Sequence, residues 1–441
     1  MKFRAVSLLA LLAACRSAPV TLNDNAIEPV YEQILRESVV KKRITDIDLK
    51  RKLFTIEDLF ILSLDRTEQM AIRAELGFSA DAKVRRSYGA WLPRVSFTGA
   101  QYAPITPGFI VSGIRFTARQ NIMTGLTEYT GIVGARLERV AEGYNMRAEL
   151  GAHLLNVADA VLQLQLNTAL AEQTADAVKL TESNLAEIRR RVAIGRNKRG
   201  DALKSEARLR QKQADLLAAQ EKQAQLRRYL QYLTGVTGDF ATNGDTALFA
   251  LDEKTMAAKD ISARADIALG KTLVDIRKNE LDAAHGAHLP NIYLDGSYRP
   301  ALDSNQTTSY FGGVVAELPL FQGGQTVESQ NMARSRLRQA ELELKQAERK
   351  ARVEIEDARE SYEKARAERE AYAASAEAAE KNYRAQLADM RLSLATLLDV
   401  IQALEDLQQA RASKVTAEYR ESIARIRLYV ASGNLFPVKN N

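Results

Sequence analysis

Most of this 441-residue chain is written twice. Gly89-Ala-Trp-Leu92-Pro93-Arg-Val95-Ser-Phe97-Thr-Gly99 matches Gly286-Ala-His-Leu289-Pro290-Asn-Ile292-Tyr-Leu294-Asp-Gly296 at a shift of 197 positions. Further on, Gly195-Arg-Asn-Lys198-Arg-Gly-Asp201 stands against Ser393-Leu-Ala-Thr396-Leu-Leu-Asp399, and Leu233-Thr-Gly235 against Ala431-Ser-Gly433, at a shift of 198. One inserted residue reconciles the two shifts. A period this long, held over a whole unit, means two copies of one extended module, which overrides the two or three globular domains that the length alone suggests. The reading therefore divides the chain into residues 1–14, 15–52, a first repeat 53–235, a joining segment 236–262, a second repeat 263–433 and a tail 434–441.

Within each copy the elements differ sharply in kind. Val327 to Asp389 contains no proline and no glycine and is rich in Ala, Glu, Lys and Arg. About 60 helix formers at 1.5 Å each make a rod of roughly 90 Å, far longer than a globular helix. A second helix is expected from Thr396 to about Val430, so the stretch around Ser393 is a hairpin tip. In the first copy the matching helices run from about Glu142 to the glycines at 195–200 and from Asp201 to about Leu233. Val157, Leu164, Ala171, Val178, Leu185 and Val192 recur every seven residues, as do Leu337, Leu344, Ala351, Ala358, Ala365, Tyr372 and Ala379. Sustained heptads imply helices coiled on neighbours, and alanine in the seam permits close approach.

Each copy also carries two short alternating segments. Val95, Phe97 and Gly99 share one face and Arg94, Ser96 and Thr98 the other; Ile114, Phe116 and Ala118 alternate with Arg115, Thr117 and Arg119. In the second copy Ile292 and Leu294 oppose Tyr293 and Asp295, and Val314, Ala316 and Leu318 oppose Val315 and Glu317. Period-two alternation is the pattern of a strand with one apolar and one wet face. Pro104, Pro107 and Gly108, and the polar residues near 303–308, mark the turns, giving hairpins at 93–119 and 291–319. Ahead of the first hairpin, Thr55 as N-cap with Glu57 and Asp58 in the first turn starts a helix reaching Tyr88; ahead of the second, a helix spans 265–286. Residues 236–262 read as a small belt outside the rods.

The amino terminus has the layout of an export signal. Lys2 and Arg4 precede an apolar run from Val6 to Ala14 that is too short to span a bilayer. It ends Leu12-Ala13-Ala14-Cys15, which resembles a bacterial lipoprotein signal cleaved before a cysteine that then carries the lipid. Cys15 is the single cysteine, so it forms no internal disulfide; it is either an acyl acceptor or part of a discarded leader. Arg16 stands where an aspartate would resemble an inner-membrane retention signal, which favours the outer membrane of a Gram-negative envelope, with the chain extending into the periplasm. Residues 16–52 read as a polar arm ending at Lys41, Lys42 and Arg43. The net charge of +6 is too diffuse to argue for nucleic acid.

Four amphipathic strands cannot stand alone in hydrocarbon, because each open edge leaves backbone groups unpaired at several kcal/mol apiece. The edges must close on other copies of the chain. Two chains give eight strands and a barrel filled by side chains; three give twelve, the smallest multiple that leaves a lumen. The wet-face charges Arg115, Arg119, Asp295 and Glu317 then line that lumen, and the rods below continue it as a wall.

The Leu-Pro step into each first strand, the exit Leu318-Pro-Leu-Phe321-Gln-Gly-Gly324 and the paired tip pattern Gly/Ser-x-x-x-x-x-Asp resemble the TolC-like outer membrane efflux family from about Thr55 to Gly433. The resemblance implies a mainly α fold with a small β part. Long antiparallel helical hairpins would form an α-barrel, and four strands per chain would join a trimeric twelve-stranded transmembrane β-barrel. It implies a homotrimer, outer membrane lipid, a periplasmic adaptor of the membrane fusion type and an inner-membrane pump of RND or ABC type as partners, and the channel role in a tripartite efflux or type I secretion system. The turns at Ile194-Gly195 and Leu392-Ser393 match the tips that meet the adaptor, and Asp201 and Asp399 the acidic residues of the periplasmic gate. By their own chemistry these two aspartates are equally N-caps of the returning helices. Met390 and Ala395 stand where well-known members carry a Tyr and an Arg that latch the closed state, so that latch is absent or rebuilt. Arg189, Arg190, Arg191, Arg196, Lys198 and Arg199 concentrate positive charge at the first tip; Lys198 and Arg199 are candidates for steering the adaptor, against the plainer reading of a solvated face.

No chemistry of an enzyme is visible. His285 and His288 share a helical face near Asp282 but lack a third ligand at useful spacing, and His153 is isolated within its helix. There is no nucleophile with its base, no phosphate loop and no cofactor fingerprint, so no catalytic residue, metal or cofactor is expected. Trp91 and Tyr88 suit an interfacial aromatic girdle or plain packing. The alternative function is an envelope-anchored coiled-coil structural or adaptor protein without a pore, which explains the heptads and leaves the hairpins without a purpose.

Overall fold

The computed structural model describes residues 53–102, 111–195, 198–238, 240–249, 261–301, 307–392 and 394–435. Cys15 and the signal, the arm with its basic patch, the turns at Pro104–Gly108 and 302–306, Arg196, Ser393 and most of the tail lie outside the described residues.

A short strand β1 (Leu53–Thr55) leads into α1 (Ile56–Arg66) and α2 (Glu68–Tyr88). Thr55 caps α1 as expected: its Oγ1 accepts from the Asp58 N–H at 3.1 Å, and Asp58 Oδ2 accepts from the Thr55 N–H at 3.0 Å. The single helix expected to Tyr88 is broken at Thr67, which is extended (φ −105°, ψ 134°). At this break Gly235, with φ +64°, lies against Arg66 so closely that a Cβ would sit 2.6 Å from the Arg66 Cβ.

After a single 3-10 turn, β2 (Arg94–Tyr102) and β3 (Val111–Thr124) form the first hairpin, followed by α3 (Thr127–Ala193) and α4 (Arg199–Thr234). A strand β4 (Ala241–Asn243) pairs in parallel with β1. Then α5 (Ala265–Gly286), the hairpin β5 (Asn291–Arg299) and β6 (Ser309–Glu317), α6 (Gln325–Arg391) and α7 (Leu397–Ala431) complete the chain. The two hairpins are followed by helices of 67 and 36 residues in one case and 67 and 35 in the other. At 1.5 Å per residue the long helices reach about 100 Å.

Two boundaries differ from expectation. β3 runs five residues past 119, because Gln120 to Thr124 pair with the start of β5 across a bulge between Asn121 and Met123. The bulge slips the alternation, so the pattern stops announcing a strand there. α3 begins at Thr127, fifteen residues before Glu142. Gly131, Gly134 and Gly143 blur its amphipathic pattern, yet Gly134 is where α5 comes close: the Asn279 amide donates to the Thr130 carbonyl at 2.8 Å, and a Cβ on Gly134 would stand 3.0 Å from Asn279 Nδ2.

The largest core lies at mid-height, where α1, the middle of α3 and the ends of α4 and α7 converge. Leu59, Phe60, Leu150, Leu154, Val157, Val161, Leu230 and Ile426 are fully buried there. Val236, Phe240 and Phe249 belong to the same core, so the described first half of the joining segment packs into it and is not merely a belt outside the rods. Arg264 fixes the second module at this level, donating to Asp266 at 2.7 Å, Glu354 at 2.6 Å and the Ala431 carbonyl at 3.1 Å. The first seam keeps its heptad, with Val157, Leu164, Ala171, Val178 and Leu185 buried. The second keeps it only in part: Ala351 and Ala365 are buried, but Tyr372 is 39% exposed, and the buried Ala340 and Ala376 stand eleven residues from Ala351 and Ala365. Eleven residues is 3.67 per turn, which locally straightens a left-handed coil.

Candidate functional site

The four long strands form one sheet in the order β2-β3-β5-β6, antiparallel throughout. Register places its side chains. Arg94 stands level with Arg119, Thr98 with Arg115, Arg119 with Asp295, and Asn291 with Glu317. All six charged residues of these strands, Arg94, Arg115, Arg119, Asp295, Arg299 and Glu317, therefore fall on one face, together with Ser96, Thr98, Thr117 and Ser297; Phe311 and Val315 are the apolar exceptions. The opposite face holds Val95, Phe97, Phe116, Ala118, Leu294, Tyr298, Tyr310, Val314 and Ala316.

Contacts bear out both faces. On the wet side Arg119 Nε donates to Asp295 Oδ1 at 3.1 Å and the guanidinium lies 4.5 Å over the Tyr293 ring, while Ser96 Oγ and Thr117 Oγ1 are 2.6 Å apart. On the apolar side the rings of Phe97 and Phe116 are 5.1 Å apart and those of Phe116 and Tyr298 6.2 Å. Nothing among the described residues covers this face: Val95 is 72% exposed and Val314 67%. β2 and β6 each have one partner among the described residues, so the sheet has two open edges there. Strands of nine residues match the nine to eleven that a tilted strand needs to cross a bilayer. No described helix is long and apolar enough to cross one. The β6–α6 linker adds Leu320 and Phe321 at 89% and 88% exposure, and Trp91 is exposed at the start of the first hairpin.

The joint between sheet and helices is built on left-handed residues. Gly323 and Gly324 both have positive φ ahead of α6, and Gly125 (φ +55°) and Leu126 (φ +63°) take the same place ahead of α3. Here two backbones touch: a Cβ on Gly286 would meet the Gly125 oxygen at 2.0 Å. Glu128 accepts from the Thr124 N–H at 3.0 Å and, at a shorter distance, from its hydroxyl, which pins the end of β3 to the first turn of α3.

At the far end, α3–α4 and α6–α7 turn back close together, joined by Arg208 Nε and Glu405 Oε1 at 3.6 Å. Ile194 and Leu392 are exposed at the two turns. Gly195 has φ +72°, so its backbone conformation alone accounts for glycine there, before any partner is considered. Asp201 and Asp399 are neither buried nor N-caps. The caps are Lys198 and Thr396, with each aspartate three residues on. Asp399 Oδ2 accepts from the Thr396 N–H at 2.8 Å and its hydroxyl at 2.6 Å, and these bonds hold its carboxyl below the usual range; Asp201 Oδ2 accepts from the Lys198 N–H at 3.3 Å. Much of the basic run is neutralised locally, Arg189 by Glu206 at 3.0 Å and Arg191 and Arg190 by Glu187 at 3.0 and 3.9 Å. Lys198 and Arg199 stay exposed at the very tip.

Sequence reasoning placed Arg115, Arg119, Asp295 and Glu317 on one face, and the register agrees. It put Arg94 on the polar face without counting it among the lumen charges, and it left out Arg299, which the same alternation extended to the strand end finds. The Gly125–Gly286 crossing carried no signal beyond the glycines themselves. His153 is not merely isolated: it is 3% exposed, with Nε2 2.6 Å from Ser63 Oγ, and burial pushes its pKa down despite nearby Glu149.

No curated protein matches the chain in sequence. The sequence model of the outer membrane efflux proteins matches residues 261–434, from just before α5 to the end of α7. Among solved structures the chain is similar to CusC, whose study concerns folding and transmembrane channel formation, with 17% identity over 86% of this chain and 92% of that one and a TM-score of 0.75. It is similar to the outer membrane protein VceC of Vibrio cholerae (16% identity, 92% and 99% covered, TM-score 0.73) and to the open state of the MtrE outer membrane channel of Neisseria gonorrhoeae (16%, 88% and 91%, TM-score 0.75). The chain thus has the TolC-like fold of these outer membrane channels over most of its length, and its residues 261–434 are similar to the outer membrane efflux proteins.

Proposed function

We propose that this protein is the outer membrane channel of a tripartite efflux or type I secretion assembly, a homotrimer that conducts substrates delivered by an inner-membrane pump across the periplasm and outer membrane. The observation that carries this is the sheet: one face largely apolar, free of charge and uncovered by any described residue, all the charges on the other, and both edges without a partner strand among the described residues. Three copies close those edges into twelve strands with a wet lumen lined by Arg115, Arg119, Asp295 and Glu317, and lipid takes the apolar face. Cys15 anchors the amino terminus in that membrane. Ile194, Gly195, Leu392 and Ser393 meet a periplasmic adaptor, Lys198 and Arg199 steer it, and Asp201 and Asp399 set a cation-attracting ring where the hairpins converge. The chain acts by conduction and not by catalysis. A free-standing coiled-coil scaffold gains no support, since it gives the apolar sheet face nothing to rest on.

The test is to extract the protein from outer membranes in detergent, determine its subunit number by chemical crosslinking and record it in planar bilayers. Trimers with discrete conductance steps are expected; monomers without conductance would refute the channel. Lys198→Glu with Arg199→Glu is expected to reduce crosslinking to the co-purifying adaptor without reducing conductance.

A further inference from the structure

The charges inside the sheet are unbalanced. Four of the six are arginines, so the wet face carries a net of two positive charges per chain among the described residues. They are also arranged by height. Glu317 stands level with Asn291 at the helix end. Two levels up on the same face, Arg94 stands directly opposite Arg119, and Asp295 pairs only with the latter. At the loop end Arg115 is opposite Thr98, and the register carried one step beyond Phe116–Tyr298 sets it level with Arg299. Neither Arg94 nor Arg115 pairs with an acid among the described residues. Like charges directly across a strand pair are destabilising, so two arginine pairs on neighbouring strands are not the arrangement that stability alone would choose.

We infer that the Arg94, Arg115, Arg119 and Arg299 side chains form an anion-favouring band that runs from mid-height of the barrel lumen toward its loop end, which makes this section of the pore selective for anionic solutes. The inference rests on the channel reading above. In a ring of three chains the band repeats threefold, and low-dielectric walls focus its field along the axis. Repulsion between neighbouring guanidinium groups is then relieved by the anions that enter. The band is distinct from the tip aspartates, which lie at the other end of helices about 100 Å long. Its effect is therefore separable from theirs.

The experiment is the reversal potential of bilayer-inserted protein under a potassium chloride gradient, compared between wild type, Arg94→Glu/Arg115→Glu and the milder Arg94→Gln/Arg115→Gln. Wild type is expected to show a chloride-to-potassium permeability ratio at least roughly threefold above that of the Glu variant, with the Gln variant between them and Arg94→Lys/Arg115→Lys restoring the wild-type ratio. Conducting trimers with the same ratio in all four proteins would overturn the band while leaving the channel standing. A wild type that does not conduct at all would overturn both.

Discussion

The contact between Gly125 and Gly286 makes the sharpest test of how sheet and helices are joined. Gly286 ends α5, and an alanine there would put its Cβ 2.0 Å from the Gly125 oxygen and 2.9 Å from its carbonyl carbon. Carbon and oxygen in ordinary contact stay roughly 3.3 Å apart or more, so the two backbones must part by more than about 1 Å. The obstacle is main chain on both sides and cannot swing away. Overpacking of this kind costs about 1–3 kcal/mol, against a gain of up to about 1 kcal/mol from replacing glycine by alanine in a helix. A net loss of about 1–2 kcal/mol, felt locally, corresponds to a roughly 5- to 30-fold rise in the open population. In a chain this large such a loss hardly moves a global melting temperature, so amide hydrogen exchange is the better assay. Gly286→Ala should speed exchange by that factor at the end of β3 and in the last turn of α5, while leaving the α3–α4 tip unchanged. Gly77→Ala, in α2 with nothing within 4 Å of the new Cβ, should slow exchange locally or leave it as it was. Equal protection in Gly286→Ala and wild type would refute the close crossing.

Three further outcomes follow from the same geometry. His153 has a folded-state pKa below its unfolded value, so its contribution to stability is complete above about pH 6.5 and falls as acid drives the unfolded imidazole to bind a proton first. Melting at pH 7.5 and 5.5 should show a drop that His153→Gln reduces, and an unaltered drop would exclude this histidine as its source. Arg264→Ala strips Asp266, Glu354 and the Ala431 carbonyl of their donor and should cost about 2 kcal/mol, reduced from a fully buried case because both carboxylates are partly exposed. A denaturant midpoint equal to that of wild type would count against it. Leu126→Val places a β-branched residue at φ +63° and should lose about 1–2 kcal/mol, read as faster exchange in the first turn of α3; unaltered protection there would show the site to be relaxed.

The elements with a strong local period were legible from residues alone. The long helices were expected close to where they lie, the alternation assigned the faces of Val95–Gly99 and Ile292–Asp295, and Thr55 was read as the cap of α1. What escaped were places where a tertiary neighbour replaces the local signal. Gln120 to Thr124 stay in the sheet because β5 pairs with them across a bulge, and Gly134 sits in α3 where Asn279 of α5 comes close enough to reach the Thr130 carbonyl. The tip aspartates looked like caps and proved to be their partners; Thr396-x-x-Asp399 is a capping-box spacing that would have told the two apart, whereas Lys198 ahead of Asp201 gives no such signal.

By itself the sequence determined which segments are rods, which are ribbons and which side of each ribbon is wet, because 3.6- and 2-residue periods are properties of the chain and need no partner. Only the tertiary structure decided that the two ribbons, nearly 200 residues apart, lie edge to edge as one sheet with every charge on one side, that Val236, Phe240 and Phe249 of the joining segment enter the core, and that the second seam keeps its seven-residue interval only in part. The reason is that strand order and helix phase are set by contacts between distant residues, which local periodicity does not encode.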